Sequence, residues 1–331
     1  MAEAPRVAPM KEPLVGRVTC FGETMIRLSS ETGVSLEAAE GLSMYAAGCE
    51  SNVAVALARL GIDARWLSAL PDSALGRFVA GQLRRAGVDV SAVRWAPDGR
   101  VGLYFTDLGS GEWIRDVVYD REHSAFATCD PDDVEWSALD GSRLLHLSGI
   151  TPALVPNGTA LFERALAEAA RRGVAVTLDV NYRRSLWPKE AAQRLLRSHL
   201  EEVEVLFVSQ RDLEVVADEP DPEGAARSLA ASFGLHAVVV TLGRDGALAS
   251  HGREVVRAPA LDVPIVDRIG RGDAFVGGWL RGWLGGCGPE MALRLGCALA
   301  ALAQTYRGDL MWGDEALLER VLRGGSVAGE R

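Results

Sequence analysis

Val266-Asp267-Arg268-Ile269-Gly270-Arg271-Gly272-Asp273-Ala274-Phe275 is the stretch on which the reading of this chain turns. Two glycines flank one residue, and a carboxylate stands where a helical run, Ala274 to Leu284, begins. Glycine lets the backbone crowd against a ligand. The first amides of a helix lack internal partners and carry partial positive charge, so they suit a phosphate or another anion. A carboxylate would repel that anion. Asp273 therefore points to a base, or to a group acting on a metal.

Outward from this stretch, strands and helices alternate. Val18 to Phe21 reads as a first strand, Ser51 to Leu60 as a helix closed by Gly61, and Ala64 to Leu70 as a strand. A helix from Leu75 to Ala86 and a strand near Val90 to Trp95 follow. The alternation resumes at Leu144 to Leu147 and runs through strands at Val174 to Asp179, Val205 to Val208 and Ala237 to Thr241. The helices between them are expected at Thr159 to Arg171, Ala191 to Leu200 and Glu223 to Phe233. Hairpin-like strands at Ala247 to Ser250 and Val255 to Ala258 lead into the opening stretch, and helices at Pro289 to Tyr306 and Glu315 to Leu322 finish the chain. Strands alternating with helices of this size imply an α/β fold with a mostly parallel sheet covered on both faces.

One segment breaks the pattern. Val101 to Thr106 and Trp113 to Tyr119 flank Gly109-Ser110-Gly111 and read as a hairpin. Inside a βα chain such a hairpin is a lid, and Ile26 to Tyr45 offers it further strands. Ligands of open α/β sheets bind beyond the carboxyl ends of the strands. Polar residues stand at several such ends: Glu23, Asp179-Asn181-Arg183, Ser209-Asp212, Thr241-Gly243 and Gly270-Asp273.

Composition narrows the chemistry. At 331 residues and 48% hydrophobic the chain can bury a large core. Charged residues interrupt every long apolar run, so no membrane span is expected, and Met1 to Arg17 lacks the apolar core of a signal peptide. A net charge of -10 disfavours nucleic acid or an anionic membrane as partner. Five scattered cysteines without a Cys-x-x-Cys argue for reduced thiols in the cytoplasm, and the histidines show no metal-binding spacing. Lys11 and Lys189 are the only lysines, and neither follows a glycine-rich run. A Walker-type loop is therefore excluded, and nucleotide chemistry must use backbone amides, arginine and metal. No Gly-x-Gly-x-x-Gly follows the first strand, which removes a nicotinamide oxidoreductase.

Asp267 to Phe275 with Gly277-Gly278 resembles the signature of the ribokinase-type (phosphofructokinase B) carbohydrate kinases. Gly48-Cys49-Glu50-Ser51-Asn52-Val53-Ala54 with Leu57 to Gly61 resembles the family's N-terminal sugar-binding signature, and Thr241-Leu242-Gly243-Arg244-Asp245-Gly246-Ala247 its nucleotide-side segment. Within the family, Gly22 to Met25, Asp179 to Arg183 with Leu186-Trp187, and Arg307-Gly308-Asp309 look most like 2-keto-3-deoxygluconate kinases.

The resemblance implies a three-layer sandwich over residues 18–323, with lid strands at about 26–46 and 99–124; the Ala/Pro-rich start, 1–17, and the Gly/Ser/Ala-rich end, 324–331, read as loose tails. It also implies ATP and Mg2+ as cofactors and a sugar acid as acceptor, most closely 2-keto-3-deoxygluconate, phosphorylated at its 6-position. Gly270, Arg271, Gly272 and Asp273 become the anion hole and general base. Gly48, Asn52, Tyr104, Tyr119, Arg121 and Arg183 become substrate contacts, the two arginines serving a carboxylate. Asn181, Ser209, Asp212, Thr241, Gly243, Gly246 and Cys297 fall on the nucleotide side, and no residue is assigned to a metal directly.

The chain departs from the family pattern at Arg271, between the two glycines and expected to point to solvent, at Ala47 and at Cys297. Alternatives at this stage are a kinase for fructose, a nucleoside or another keto-deoxy sugar acid, and a silent sugar-nucleotide-binding regulator. Unpaired lid edges would suit a homodimer through the lid strands.

Overall fold

The fold is described from a computed structural model covering residues 16–108, 114–252 and 254–324. The expected tails and the Gly109-Ser110-Gly111 turn lie outside the described residues, apart from Gly16, Arg17 and Gly324.

Six parallel strands form the heart of the main sheet: β1 (Arg17–Phe21), β4 (Ala64–Leu67), β9 (Ser142–Ser148), β10 (Ala175–Asp179), β11 (Val205–Ser209) and β12 (Ala237–Thr241). Two antiparallel strands, β13 (Ala247–His251) and β14 (Glu254–Ala258), close one edge. The order across the sheet is β14-β13-β12-β11-β10-β9-β1-β4. The chain progresses one way from β1 to β4 and the other way from β9 to β12. The reversal between β1 and β9 is a switch point of the kind that opens a ligand crevice.

Helices cover both faces. α1 (Cys49–Arg59), α2 (Ala74–Arg85), α7 (Arg271–Leu284) and α8 (Pro289–Ala303) bury Val53, Leu57, Val79, Phe275, Trp279 and Leu293 against one side. α3 (Gly158–Arg172), α4 (Lys189–Ser198), α5 (Leu213–Val216) and α6 (Pro222–Phe233) bury Leu161, Phe162, Leu196, Val215 and Leu229 on the other. α9 (Glu315–Leu322) packs on α8 through Leu318. The strands read as continuous apolar runs because both faces are covered. Gly277 brings α7 against α1: a Cβ there would lie 2.5 Å from that of Ala56.

A second sheet stands apart, in the order β3-β2-β7-β8, from β2 (Met25–Ser29), β3 (Ser43–Ala47), β7 (Leu103–Leu108) and β8 (Ile114–Asp120). It is the expected lid, with β7 and β8 antiparallel and β2 beside β7 in parallel.

Two expected strands are shorter than read. Ala64 to Leu70 breaks at Ser68, whose hydroxyl donates to the carbonyl of Gly22, and only Ala69–Pro71 (β5) continues. Near Val90 to Trp95 only Arg94–Ala96 (β6) is a strand, pairing with β5. The carboxylate of Asp89 accepts the amide of Ser91 at 2.9 Å, a local bond that turns the backbone out of the extended state. Among the described residues no helix is long and apolar enough to cross a membrane.

Candidate active site

The amino end of α7 is built by its glycines. Gly270 caps it at φ +80, and a Cβ there would sit 2.3 Å from the carbonyl oxygen of Asp309, so only glycine fits. The first helical bond runs from the Ala274 amide to the Gly270 carbonyl at 2.9 Å, which leaves the amides of Arg271, Gly272 and Asp273 without helical partners. Gly272 is exposed, and a Cβ there would meet no atom within 4 Å.

The two signatures meet in space. Asn52, buried on α1, donates its Nδ2 to Asp273 Oδ2 at 2.7 Å across 221 residues of sequence. Gly48 lies where a Cβ would stand 2.3 Å from the carbonyl of Glu23, so the start of α1 is pressed onto the chain leaving β1. Carboxylate oxygens of Asp179 and Asp273 and the Sγ of Cys49 all fall within 4.8 Å of one another. Asn181 joins this group at φ +33, donating Nδ2 to Cys49 Sγ at 3.0 Å.

The group is electrostatically crowded. Burial pushes Asp273 up to about 6, against Asn52, Cys49 and Arg183, which favour its ionised form. Burial, then repulsion from Asp273 and Asp212, lifts Asp179 to about 8. Glu50 is 1% exposed and raised by burial to about 7, with Ser148 and Thr151 donating to its Oε1 at 2.6 and 3.2 Å. A Cβ on Gly22 would lie 2.2 Å from the Glu50 carboxyl carbon, which explains the glycine after β1. Burial and the neighbouring acids hold the Cys49 thiol in its protonated form.

The remaining predicted residues divide. Arg183 is exposed, and its charge is felt by Asp179, Asp212 and Asp273. Ser209 and Asp212 bond to each other, Oγ to Oδ2 at 2.8 Å, rather than capping a helix, and burial raises Asp212. Thr241 lies beside Ser209 in register. Gly243 and Gly246 turn at φ +67 and +93, Gly246 with the Ala258 carbonyl 2.0 Å from where a Cβ would be.

Arg271 does not simply point to solvent as expected. It is half-buried, and burial together with Arg268 and Arg211 depresses its pKa, so three guanidinium groups share the entrance to α7.

On the lid, two of the expected substrate contacts already have partners within the chain. Arg121 is 8% exposed and grips Glu23 Oε2 through Nε at 3.1 Å and through Nη2, so its charge is already matched within the chain. Tyr104 turns inward, stacking on exposed Tyr119 with ring centroids 5.7 Å apart and donating its hydroxyl to Asp309 Oδ1 at 2.6 Å. Cys297 is 6% exposed in the core, its Sγ 3.9 Å from the Ala258 carbonyl, where a thiol packs as an apolar group. Sequence reasoning assigned no role to Cys49, Glu50, Asp267 or Arg27. Cys49, Glu50 and Asp267 lie inside the signatures and were within reach, whereas Arg27 carries no local signal.

A helix start with unpartnered amides, beside a carboxylate and near the carboxyl end of β10, has the chemistry that phosphoryl transfer needs. Residues 15–311 match the pfkB family of carbohydrate kinases, and the chain belongs to that family. It is an ATP-dependent sugar kinase. It is 41% identical over 319 residues to the 2-dehydro-3-deoxygalactonokinase of Haloferax volcanii, covering 96% of this chain and 100% of the relative. It is 33% identical to the 2-dehydro-3-deoxygluconokinase of Thermoproteus tenax, covering 93% and 95%. The crystal structure of the Thermotoga maritima 2-dehydro-3-deoxygluconokinase superimposes with a TM-score of 0.88 at 31% identity, covering 93% of this chain and 99% of that one.

Proposed function

We propose that this kinase phosphorylates the primary hydroxyl of a 2-keto-3-deoxy sugar acid, giving the 6-phosphate. The observation that carries the reading is the Asn52–Asp273 contact, which joins the sugar-side helix to the carboxylate of the anion loop. Three relatives that are kinases of 2-keto-3-deoxy acids support the acceptor class.

In the proposed reaction the acceptor oxygen attacks the γ-phosphorus, and the bond from that phosphorus to the bridging oxygen breaks. ADP leaves with the electron pair, and the hydroxyl proton passes to the Asp273 carboxylate. Amides of Arg271, Gly272 and Asp273 receive the charge that spreads over the γ-phosphoryl oxygens. Arg271, Arg268 and Arg211 add positive charge at the same entrance. Ser209, Asp212, Thr241, Gly243 and Gly246 stand at the strand ends on the nucleotide side, and Asn181 stands with Cys49 beside the base.

The Cys49–Asp179–Asp273 group is a poor cage for Mg2+, a hard cation that takes oxygen ligands and keeps water and phosphate around it. Asp212 offers the better donor: half-buried, with Ser209 as its hydrogen-bond partner. Mg2+ arriving with the nucleotide would neutralise phosphate charge. Arg183 is the residue we assign to the acceptor carboxylate. Because Arg121 is spent on Glu23, the case for an acid rests on Arg183 and the relatives alone. Phosphorus NMR of the product formed from 2-keto-3-deoxygluconate or 2-keto-3-deoxygalactonate tests the proposal. A phosphate ester at the terminal primary carbon is expected, and a product phosphorylated elsewhere, or none, would refute it.

A further inference from the structure

Arg27 sits on lid strand β2 with a fully buried side chain, one of the largest in the molecule at 0% exposure. Its Nη2 donates to Asp267 Oδ2 at 2.6 Å and its Nη1 to Asp309 Oδ2 at 3.0 Å. Its Nε donates to Ser29 Oγ at 2.7 Å, and the Tyr45 ring lies 5.3 Å from the guanidinium. All three guanidinium nitrogens donate, so its orientation is fixed between the lid strands and the two carboxylates.

Both carboxylates it holds belong to the frame of the anion loop. Asp267 accepts the Ile269 amide on Oδ1 at 3.2 Å and the Gly308 amide on Oδ2 at 3.1 Å, tying the approach to Gly270 to the neighbouring turn. Asp309 supplies the carbonyl that crowds Gly270. Two carboxylates confined here would repel each other without a cation between them, and burying a charge is tolerated only when it is paired. A guanidinium holds both at once with directed bonds.

We infer that Arg27 is a positioning residue for phosphoryl transfer: an internal cation on the lid that sets the geometry of the 267–273 loop through Asp267 and Asp309. The inference rests on the reading of Gly270 to Asp273 as the phosphate-binding loop, and it is independent of which sugar acid is the acceptor. Arg27 acts through the loop and touches no reacting atom. A loop displaced by about 1 Å is enough to cost on the order of 10²-fold in rate.

The test compares Arg27→Ala, Arg27→Met and Arg27→Lys in the full chain. In Arg27→Ala, kcat should fall about 10²-fold, with KM for ATP and acceptor changed by less than about threefold. A cavity of about 260 Å³ is lined by Tyr45 and Asp309, both partners of Arg27, and by Gly308. Millimolar guanidinium should therefore restore Arg27→Ala at least about tenfold, and leave Arg27→Met, whose side chain fills the space, unchanged. Amide hydrogen exchange over residues 268–273 should rise in Arg27→Ala and fall again with guanidinium. A folded Arg27→Ala with wild-type kcat overturns the inference, as does a loss that guanidinium does not relieve with exchange raised throughout the fold. If Arg27→Ala does not fold, Arg27→Lys decides: reduced kcat at unchanged Tm supports the role, and unchanged kcat overturns it. Failure of the wild type to phosphorylate any sugar acid would strike the proposed function, and the exchange of the loop would still report on Arg27.

Discussion

In the proposed reaction Asp273 is asked for two things that conflict: it sits half-buried among other acids, and it must be ionised to accept a proton. Burial raises it to about 6, closer to the working pH of a kinase than an ordinary aspartate. A base works in its deprotonated form, so kcat/KM should fall about tenfold per pH unit below about 6 and level off above it. Asp273→Asn should remove that limb and lower kcat by about 10²- to 10⁴-fold while ATP binding persists in calorimetry. Near-normal turnover would remove Asp273 from the mechanism. Arg183 makes a second prediction. Arg183→Met should raise the acceptor KM by about 10- to 100-fold and leave that for ATP in place, the cost of one charge-assisted contact. Asp273 and Asn52 were legible in the sequence because each lies in a contiguous run whose chemistry is local. Arg27 was not, because its partners lie 240 and 282 residues away and nothing in Met25-Ile26-Arg27-Leu28 marks the charge as inward-facing.

Among the elements, the lid shows how far periodicity carries. Its hairpin could be read from two strand-like runs about a glycine-rich turn, and Ile26 to Tyr45 as a source of further strands. The parallel pairing of β2 with β7 could not, since register and neighbours are set by contacts between distant segments. The same limit explains Arg121. An arginine at the end of a lid strand reads as a ligand, yet it meets Glu23, 98 residues earlier, with side chains only 8% and 3% exposed. Removing one partner of a buried pair strands the other, so Arg121→Met should cost about 3–5 kcal/mol in urea unfolding, and Glu23→Leu with Arg121→Met much less. Equal losses in the single and double variants would mean that the pair is not coupled. Main-sheet strands were legible where both faces are apolar, and β6 was misjudged where the Asp89 side chain captured the backbone.

For the molecule as a whole, the acids gathered at the switch point should shape stability. Glu50 and Asp179 have folded pKa values of about 7 and about 8, above their unfolded values. The folded state therefore binds protons more readily than the unfolded chain, and this stability is lost as pH rises through those values. His146, buried and held down to about 3, acts in the opposite sense, but only below its unfolded value of about 6.5. The Tm of the ligand-free enzyme should thus decline from about pH 6.5 to about pH 8.5, and Glu50→Gln should flatten the decline. A Tm that is level or rises over that range would contradict the assignment. On the proposed function, the anion loop and its base serve a sugar acid. Initial rates with MgATP across 2-keto-3-deoxygluconate, 2-keto-3-deoxygalactonate, fructose and ribose test it most directly. A kcat/KM at least about tenfold higher for the acids is expected, with the advantage lost in Arg183→Met; equal or faster phosphorylation of a neutral sugar would rule out the sugar-acid reading.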